Sequence, residues 1–256
     1  MFTRCSTSQK RRYNNLTRRK PVGVESEKPR GTLAAMSIAI IAHRGFSSRH
    51  VENTMPAIRA ALELGVDFVE VDVHETRDGK LVVFHDYRLH RICRVRGRVR
   101  DTTLAEMKRL DPTIPTLREA LLACRGKARV LVEIKRANPR KVAATIEASG
   151  MAREVIVFSL SMPRMKTFAA ASPRISRFAL VANRLPRRLP FAADGIGASK
   201  RLIRSRAAVE RVHRRGWKLF VWTVNRERDI ARLMEWGVDG IITNYPDRAK
   251  SCLARR

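Results

Sequence analysis

Two carboxylates stand two residues apart in the run Phe68-Val69-Glu70-Val71-Asp72-Val73, whose other positions are all apolar. Alternate side chains of a strand share a face, so Glu70 and Asp72 project to the same side. Carboxylates held together in this way repel and desolvate one another unless a cation neutralises them, which makes a metal site the economical reading. A third acid repeats the pattern: Glu133 lies in Val130-Leu131-Val132-Glu133-Ile134-Lys135, with Lys135 two positions on and pointing the same way. Oxygen ligands from Glu70, Asp72 and Glu133 favour a hard cation, Mg²⁺ or Ca²⁺, over zinc. Taken alone, Glu133 beside Lys135 is equally compatible with a structural ion pair.

Two histidines complete the set. His43 closes the apolar run Ile38–Ala42 and is followed by Arg44-Gly45, and His85-Asp86 closes Leu81–Phe84. Imidazoles titrate near neutrality and can exchange protons with a nucleophile and a leaving oxygen, while the planar fork of Arg44 suits a phosphoryl group. One histidine at a strand end is more often structural than catalytic. Two of them beside three acids, an arginine and a lysine shift the balance toward catalysis.

These residues meet only if the strands that carry them are neighbours. From Ile38 onward, short β-branched runs alternate with helical stretches, the pattern of successive βα units and a mainly parallel sheet. Strands are predicted at Ile38–Ala42, Phe68–Val73, Val130–Ile134, Val155–Phe158, Ile175–Leu180, Asp194–Ala198, Leu219–Thr223 and Gly240–Thr243. Helices are predicted between them, among others at Thr54–Leu64, Pro139–Ala148, Ser205–Arg215 and Glu227–Trp236; the connection around Arg184–Arg188 is the weakest helix candidate. Eight such strands predict one closed barrel over residues 37–256, with its site where the strands end. After the second strand, Arg77-Asp78-Gly79-Lys80 carries a tight-turn signal and Leu81–Phe84 returns antiparallel. Residues 86 to about 114 then form a long insertion at the barrel mouth.

The chain has 53 Lys+Arg against 24 Asp+Glu, a net charge of +29 that concentrates any anion: nucleic acid, a phospholipid surface or a small phosphate ester. The arginines are scattered rather than interleaved with aromatics, which disfavours nucleic acid. Cys5, Cys93, Cys124 and Cys252 are too widely spaced for a paired zinc motif or a disulfide scaffold and point to a reducing, cytoplasmic setting. No apolar run approaches the roughly 18 residues of a membrane-spanning helix. Residues 1–36 are basic and lack apolar periodicity, and are expected to form a disordered tail. That tail reads as an organellar presequence, a basic anchoring arm, or sequence upstream of a start at Met36, with the last favoured. A secretory signal built on the apolar run 33–42 is rejected, because cleavage there would remove the strand that positions His43.

The ordered set Ala42-His43-Arg44-Gly45, Glu52-Asn53-Thr54, Glu70-Val71-Asp72-Val73 with Thr76 and Asp78-Gly79, and Val82-Val83-Phe84-His85-Asp86 resembles the glycerophosphodiester phosphodiesterases. The likeness continues through Leu89, Arg91, Gly97, Leu110-Asp111, Ile114-Pro115-Thr116-Leu117 and Glu133-Ile134-Lys135. It resumes at Val221-Trp222-Thr223-Val224-Asn225 and at Gly237–Pro246, so it covers about residues 38–250.

The resemblance implies an α/β fold, a TIM (β/α)8 barrel with a small insertion after the second strand, that hydrolyses glycerophosphodiesters to sn-glycerol 3-phosphate and an alcohol. It further implies His43 and His85 as the acid–base pair and Glu70, Asp72 and Glu133 as ligands of a divalent Mg²⁺ or Ca²⁺. Arg44 and Lys135 become phosphate-binding cations and Trp222 a pocket wall, while Glu52 and Asn53 shape the mouth. The partner is then a small-molecule diester. Two alternatives stand beside it. One is lysophospholipase D-type hydrolysis, with the Arg-rich insertion and tail making weak membrane-surface contact. The other is an idle basic barrel holding anionic lipid or nucleic acid, against which the retention of every expected charged group argues.

The chain departs from the family at four places. Val51 stands where the family usually has proline, and Ile92-Cys93 replaces a polar pair. His74 is not expected in its place, and is taken to turn away from Glu70 and Asp72 and to pack against the outer helices. Arg94, Arg96, Arg98 and Arg100 make the insertion unusually basic. These changes bear on the pocket for the leaving alcohol rather than on the reaction.

Overall fold

The computed structural model describes residues 38–255, so the readings made for the basic tail lie outside the described residues. In chain order the strands are β1 Ala39–Ala42, β2 Phe68–Glu75, β3 Leu81–Val83, β4 Arg129–Arg136, β5 Val155–Phe158, β6 Ser176–Val181, β7 Gly195–Ser199, β8 Lys218–Trp222 and β9 Gly240–Thr243. All but β3 are parallel. They run β1-β2-β4-β5-β6-β7-β8-β9 around the sheet, and the pairing of β9 with β1 closes the eight-stranded barrel. The short β3 folds back antiparallel on the far end of β2, where Val73 faces Val83 and Glu75 faces Leu81.

The helices are α1 Met55–Glu63, α2 His90–Cys93, α3 Leu104–Leu110, α4 Leu117–Cys124, α5 Pro139–Ala148, α6 Met162–Ala171, α7 Arg206–His213, α8 Glu227–Glu235 and α9 Pro246–Ala254. Their starts follow from local chemistry. Thr54 caps α1 through the Ala57 amide, with Pro56 in the first turn. Thr103 with Glu106 and Thr116 with Glu119 form reciprocal capping boxes at α3 and α4. No helix separates β6 from β7; that connection carries Pro186 and Pro190, and a proline in a helix interior removes a hydrogen bond and clashes with the preceding turn.

Outward-facing Val69, Val71, Val73, Val130, Val132 and Ile134 belong to the large core between barrel and helices. Inside the barrel a second cluster holds Ile41, Phe68, Leu131, Ile156, Phe158, Phe178, Leu180, Phe220 and Ile242. Its aromatic rings fit because neighbouring strands carry glycine: a Cβ on Gly195 would stand 2.6 Å from the Phe178 ring, and one on Gly240 2.6 Å from Phe220. The insertion has its own small core of Val82, Phe84, Leu89, Val99, Met107 and Ile114. That core fixes a loop-rich segment against the rim of the mouth.

Candidate active site

The inward positions at the C-terminal ends of β2 and β4 are acidic. Strand register sets Asp72 directly beside Glu133, with Glu70 one inward position deeper. Glu70, Asp72 and Glu133 are 1%, 0% and 7% exposed, and each offers a carboxylate oxygen within 4.8 Å of the others. Burial, then the charge of Asp72, raises the Glu70 carboxyl well above its ordinary range. The same two causes push Glu133 up to about 7. Burial also disfavours the Asp72 anion, but Lys135, Arg44 and the two histidines outweigh it and hold this carboxyl low. One carboxyl held low beside two pushed up is what crowding three buried carboxylates together produces.

Cations reach the cluster from two directions. The β2–β4 ladder passes from Val73 opposite Ile134 to His74 opposite Arg136, leaving Lys135 without a partner across the ladder. Such a bulge re-aims a side chain, and Lys135 Nζ lies 2.8 Å from Glu133 and 3.3 Å from Asp72. Arg44 and Asn53 both have left-handed backbone, φ 58° and 59°, which asparagine tolerates and arginine adopts at a cost. That turn aims the Arg44 amide at Glu70 Oε2, 2.9 Å away, and lets Asn53 hold Asp72 through both its amide groups.

Two buried atoms make no hydrogen bond, Arg44 Nε and Asp72 Oδ1. Each still lies in ion-pair range of an opposite charge, Arg44 Nε 3.1 Å from Asp72 Oδ2 and Asp72 Oδ1 3.3 Å from Lys135. A buried carboxylate oxygen lacking a hydrogen bond, at the centre of three oxygen donors, fits a hard divalent cation.

The histidines have unlike partners. His43 Nδ1 stands 2.6 Å from the Asn244 amide oxygen, so Nδ1 carries the proton and Nε2 keeps its lone pair. Burial and the adjacent Arg44 lower His43 to about 4, which leaves the ring neutral near pH 7. His85 Nδ1 instead lies 2.7 Å from the Asp86 carboxylate. Burial would raise Asp86, but hydrogen bonds from Arg91 and His85 win and bring it to about 2. A carboxylate in that place fixes the orientation of the ring. Arg91, on α2 of the insertion, bridges Asp86 to Glu52, and Glu52 in turn accepts from Arg44 at 2.9 Å.

One expectation is corrected. His74 does not turn away to pack on the outer helices; strand alternation keeps it on the side of Glu70 and Asp72, and its Nε2 lies 3.0 Å from the carbonyl oxygen of His85. It braces the segment that presents His85. Trp222 ends β8 at the mouth, packed on the cluster inside the barrel, and its indole N–H donates to the Gly197 carbonyl at 2.9 Å. The roles of Asn244, Asp86 and Arg91 were missed from sequence, although all three lie in the stretches that carried the resemblance.

A parallel barrel whose mouth gathers two imidazoles, three buried carboxylates, a lysine and an arginine defines the class: a barrel hydrolase acting on anionic esters. The sequence profile of the glycerophosphoryl diester phosphodiesterase family matches residues 43–248. A glycerophosphodiester phosphodiesterase of Bacillus altitudinis is 32% identical over 240 residues, covering 82% of this chain and 96% of the relative. Among solved structures, the glycerophosphodiester phosphodiesterase of Agrobacterium tumefaciens str. C58 is similar with a TM-score of 0.75 at 26% identity, over 84% of this chain and 100% of that one. An Oleispira antarctica phosphodiesterase, solved in complex with the product sn-glycerol-3-phosphate, gives 0.76 at 25% identity over 84% and 96%. The chain belongs to the glycerophosphoryl diester phosphodiesterase family and is an enzyme of that kind. No helix among the described residues is long and apolar enough to cross a membrane.

Proposed function

We propose that this enzyme hydrolyses glycerophosphodiesters to sn-glycerol 3-phosphate and an alcohol, with His43 as general base, His85 as general acid, and a divalent cation, Mg²⁺ or Ca²⁺, held by Glu70, Asp72 and Glu133. The observation that carries this reading is the pair of imidazoles with opposite partners, an amide on one and a carboxylate on the other, flanking a buried acid cluster. When bound, the cation supplies positive charge against the phosphoryl oxygens and lowers the barrier electrostatically.

The rest is done by side chains. Arg44 and Lys135 bind non-bridging oxygens of the diester and orient it. His43 Nε2 takes the proton of the attacking hydroxyl as the new P–O bond forms; if that hydroxyl is water the monoester results directly, and if it is the glycerol 2-hydroxyl a cyclic phosphate results, which water then opens at the ring P–O2 bond with the two imidazoles in exchanged roles. His85 delivers its proton to the alkoxide as the old P–O bond breaks, and Asp86 holds the ring for that transfer. Asn53 fixes Asp72, and Glu52 ties Arg44 to Arg91 in the rim by accepting from both. Because the Trp222 N–H is already used on Gly197, the indole offers substrate only its ring face. The described cysteines, Cys93, Cys124 and Cys252, are free, which supports the cytoplasmic reading.

The test is release of sn-glycerol 3-phosphate from glycerophosphocholine and glycerophosphoethanolamine by the full chain and by a version beginning at Met36, with and without EDTA. The expected result is release by both proteins that EDTA abolishes and Mg²⁺ or Ca²⁺ restores. Release by thoroughly metal-stripped protein would refute the role given to the acid cluster.

A further inference from the structure

The insertion holds an arginine cluster that the reaction above does not use. The Tyr87 ring, two residues beyond His85, is faced by three guanidinium groups, with Arg136, Arg98 and Arg100 at 4.2, 5.6 and 5.7 Å from its centroid. Arg88 is bridged to Arg98 across the segment. Arg100 has Asp101 at 3.4 Å. The guanidinium groups of Arg88, Arg94, Arg96, Arg98 and Arg136 have no hydrogen-bond or ion-pair partner among the described residues. Arg91, between them in sequence, is tied to Asp86 and Glu52. Arg98 and Arg136, gathered on one ring without counter-ions, repel, and a bound anion relieves that repulsion.

The place of the cluster says which anion. On the functional reading above, on which this inference rests, the leaving alcohol departs toward the general acid His85. The chain that continues from His85 is Asp86-Tyr87-Arg88, and Arg136 follows Lys135 directly. Arg136 pairs across the ladder with His74, which touches the His85 carbonyl, so the cluster lies beside the segment that presents the general acid. We infer that the arginines around Tyr87 are a specificity site for a second anionic group on the leaving alcohol. The preferred substrates are then glycerophosphodiesters whose alcohol carries a further phosphate or phosphodiester, in place of cationic choline or ethanolamine. An anionic bilayer is the less favoured occupant. The large apolar side chains of the insertion are turned into its own core, and of them only Leu110 is exposed, so there is little to seat in a lipid surface.

The experiment compares kcat/KM of the metal-loaded full chain for glycerophosphocholine, glycerophosphoglycerol and bis(glycerophospho)glycerol, whose leaving alcohol bears a second phosphodiester. After allowing for its two equivalent bonds, the last should be favoured over glycerophosphoglycerol by about tenfold, mainly through KM, and the preference should shrink at about 0.5 M salt. The double variant Arg98→Gln/Arg136→Gln should lose most of that preference while keeping its rate on glycerophosphocholine within about twofold. Arg96→Glu, whose side chain touches no described partner, should lower the preference in the same direction and serves if the double variant folds poorly. Equal kcat/KM for the two glycerol substrates in the parent protein, or a preference unchanged in the variants, overturns the inference while leaving the hydrolase intact. Failure to cleave any of the three diesters overturns the functional reading and this inference with it. A variant that releases anionic phospholipid vesicles but keeps its substrate preference assigns the arginines to a lipid surface and also overturns it.

Discussion

The two sides of the barrel interior are built from the same alternation and do opposite work. On β6 to β9, Phe178, Leu180 and Phe220 fill the space left by Gly195, Gly197 and Gly240, and specification is a matter of volume. On β2 and β4 the equivalent inward positions carry Glu70, Asp72, Glu133 and Lys135, and specification is a matter of charge. The apolar side stabilises the fold by burial. On the polar side burial, and after it the charge of Asp72, disfavours the neighbouring anions, and the raised Glu70 and Glu133 carboxyls are the result. A protein keeps such a cluster when something other than stability selects it.

Substitutions on the two sides should therefore separate activity from stability. The largest effect is expected at the histidines: His43→Ala or His85→Ala should lower turnover by about 10²–10⁴-fold with little change in the thermal melt. A near-parental rate in either would remove that residue from the chemistry. Next comes Gly195→Ala, whose new methyl would meet the Phe178 ring at 2.6 Å and the Lys218 carbonyl oxygen at 2.5 Å. Denaturant titration should show a loss of about 1–3 kcal/mol, with activity per folded molecule preserved.

A smaller effect is expected from pH. A folded-state carboxyl raised to about 7, as Glu133 is, adds stability that is complete below its ordinary value near 4.5 and lost as pH rises through 7. Glu133 must also shed that proton to ligate a cation, so added Mg²⁺ or Ca²⁺ should raise the melting temperature more at about pH 8 than at about pH 5.5. An equal shift at both would show that the cation binds elsewhere. The smallest effect is Glu70→Gln in metal-free protein. Burial and the charge of Asp72 already favour the neutral form of that carboxyl, so stability should change by no more than about 0.5 kcal/mol, while stabilisation by the cation disappears. A large loss of stability without metal would mean that Glu70 is a structural anion.

Much of this contrast was legible in the chain. Strand periodicity put Glu70, Asp72, Glu133 and Lys135 on one face each, and β5 and β9 run as expected at Val155–Phe158 and Gly240–Thr243. The absent helix between β6 and β7 matched the connection with the poorest helical pattern. What periodicity could not supply was pairing between distant loops. Asn244 meets His43 across 201 positions, and Arg91 meets Glu52 across 39, through connections whose course no local pattern sets. His74 was misplaced for a different reason. Two-residue alternation, applied strictly, already puts it with Asp72, and its short polar contact to the His85 carbonyl follows from that face.

His43 and His85 divide the proton transfers between them, and a leaving group that departs as a stable anion separates the two roles. On sn-glycerol 3-phosphate esterified to p-nitrophenol, which needs no proton to leave, His85→Ala should recover most of its lost rate while His43→Ala stays inactive. Recovery of the His43 variant instead, or of neither, would contradict the assignment of base and acid.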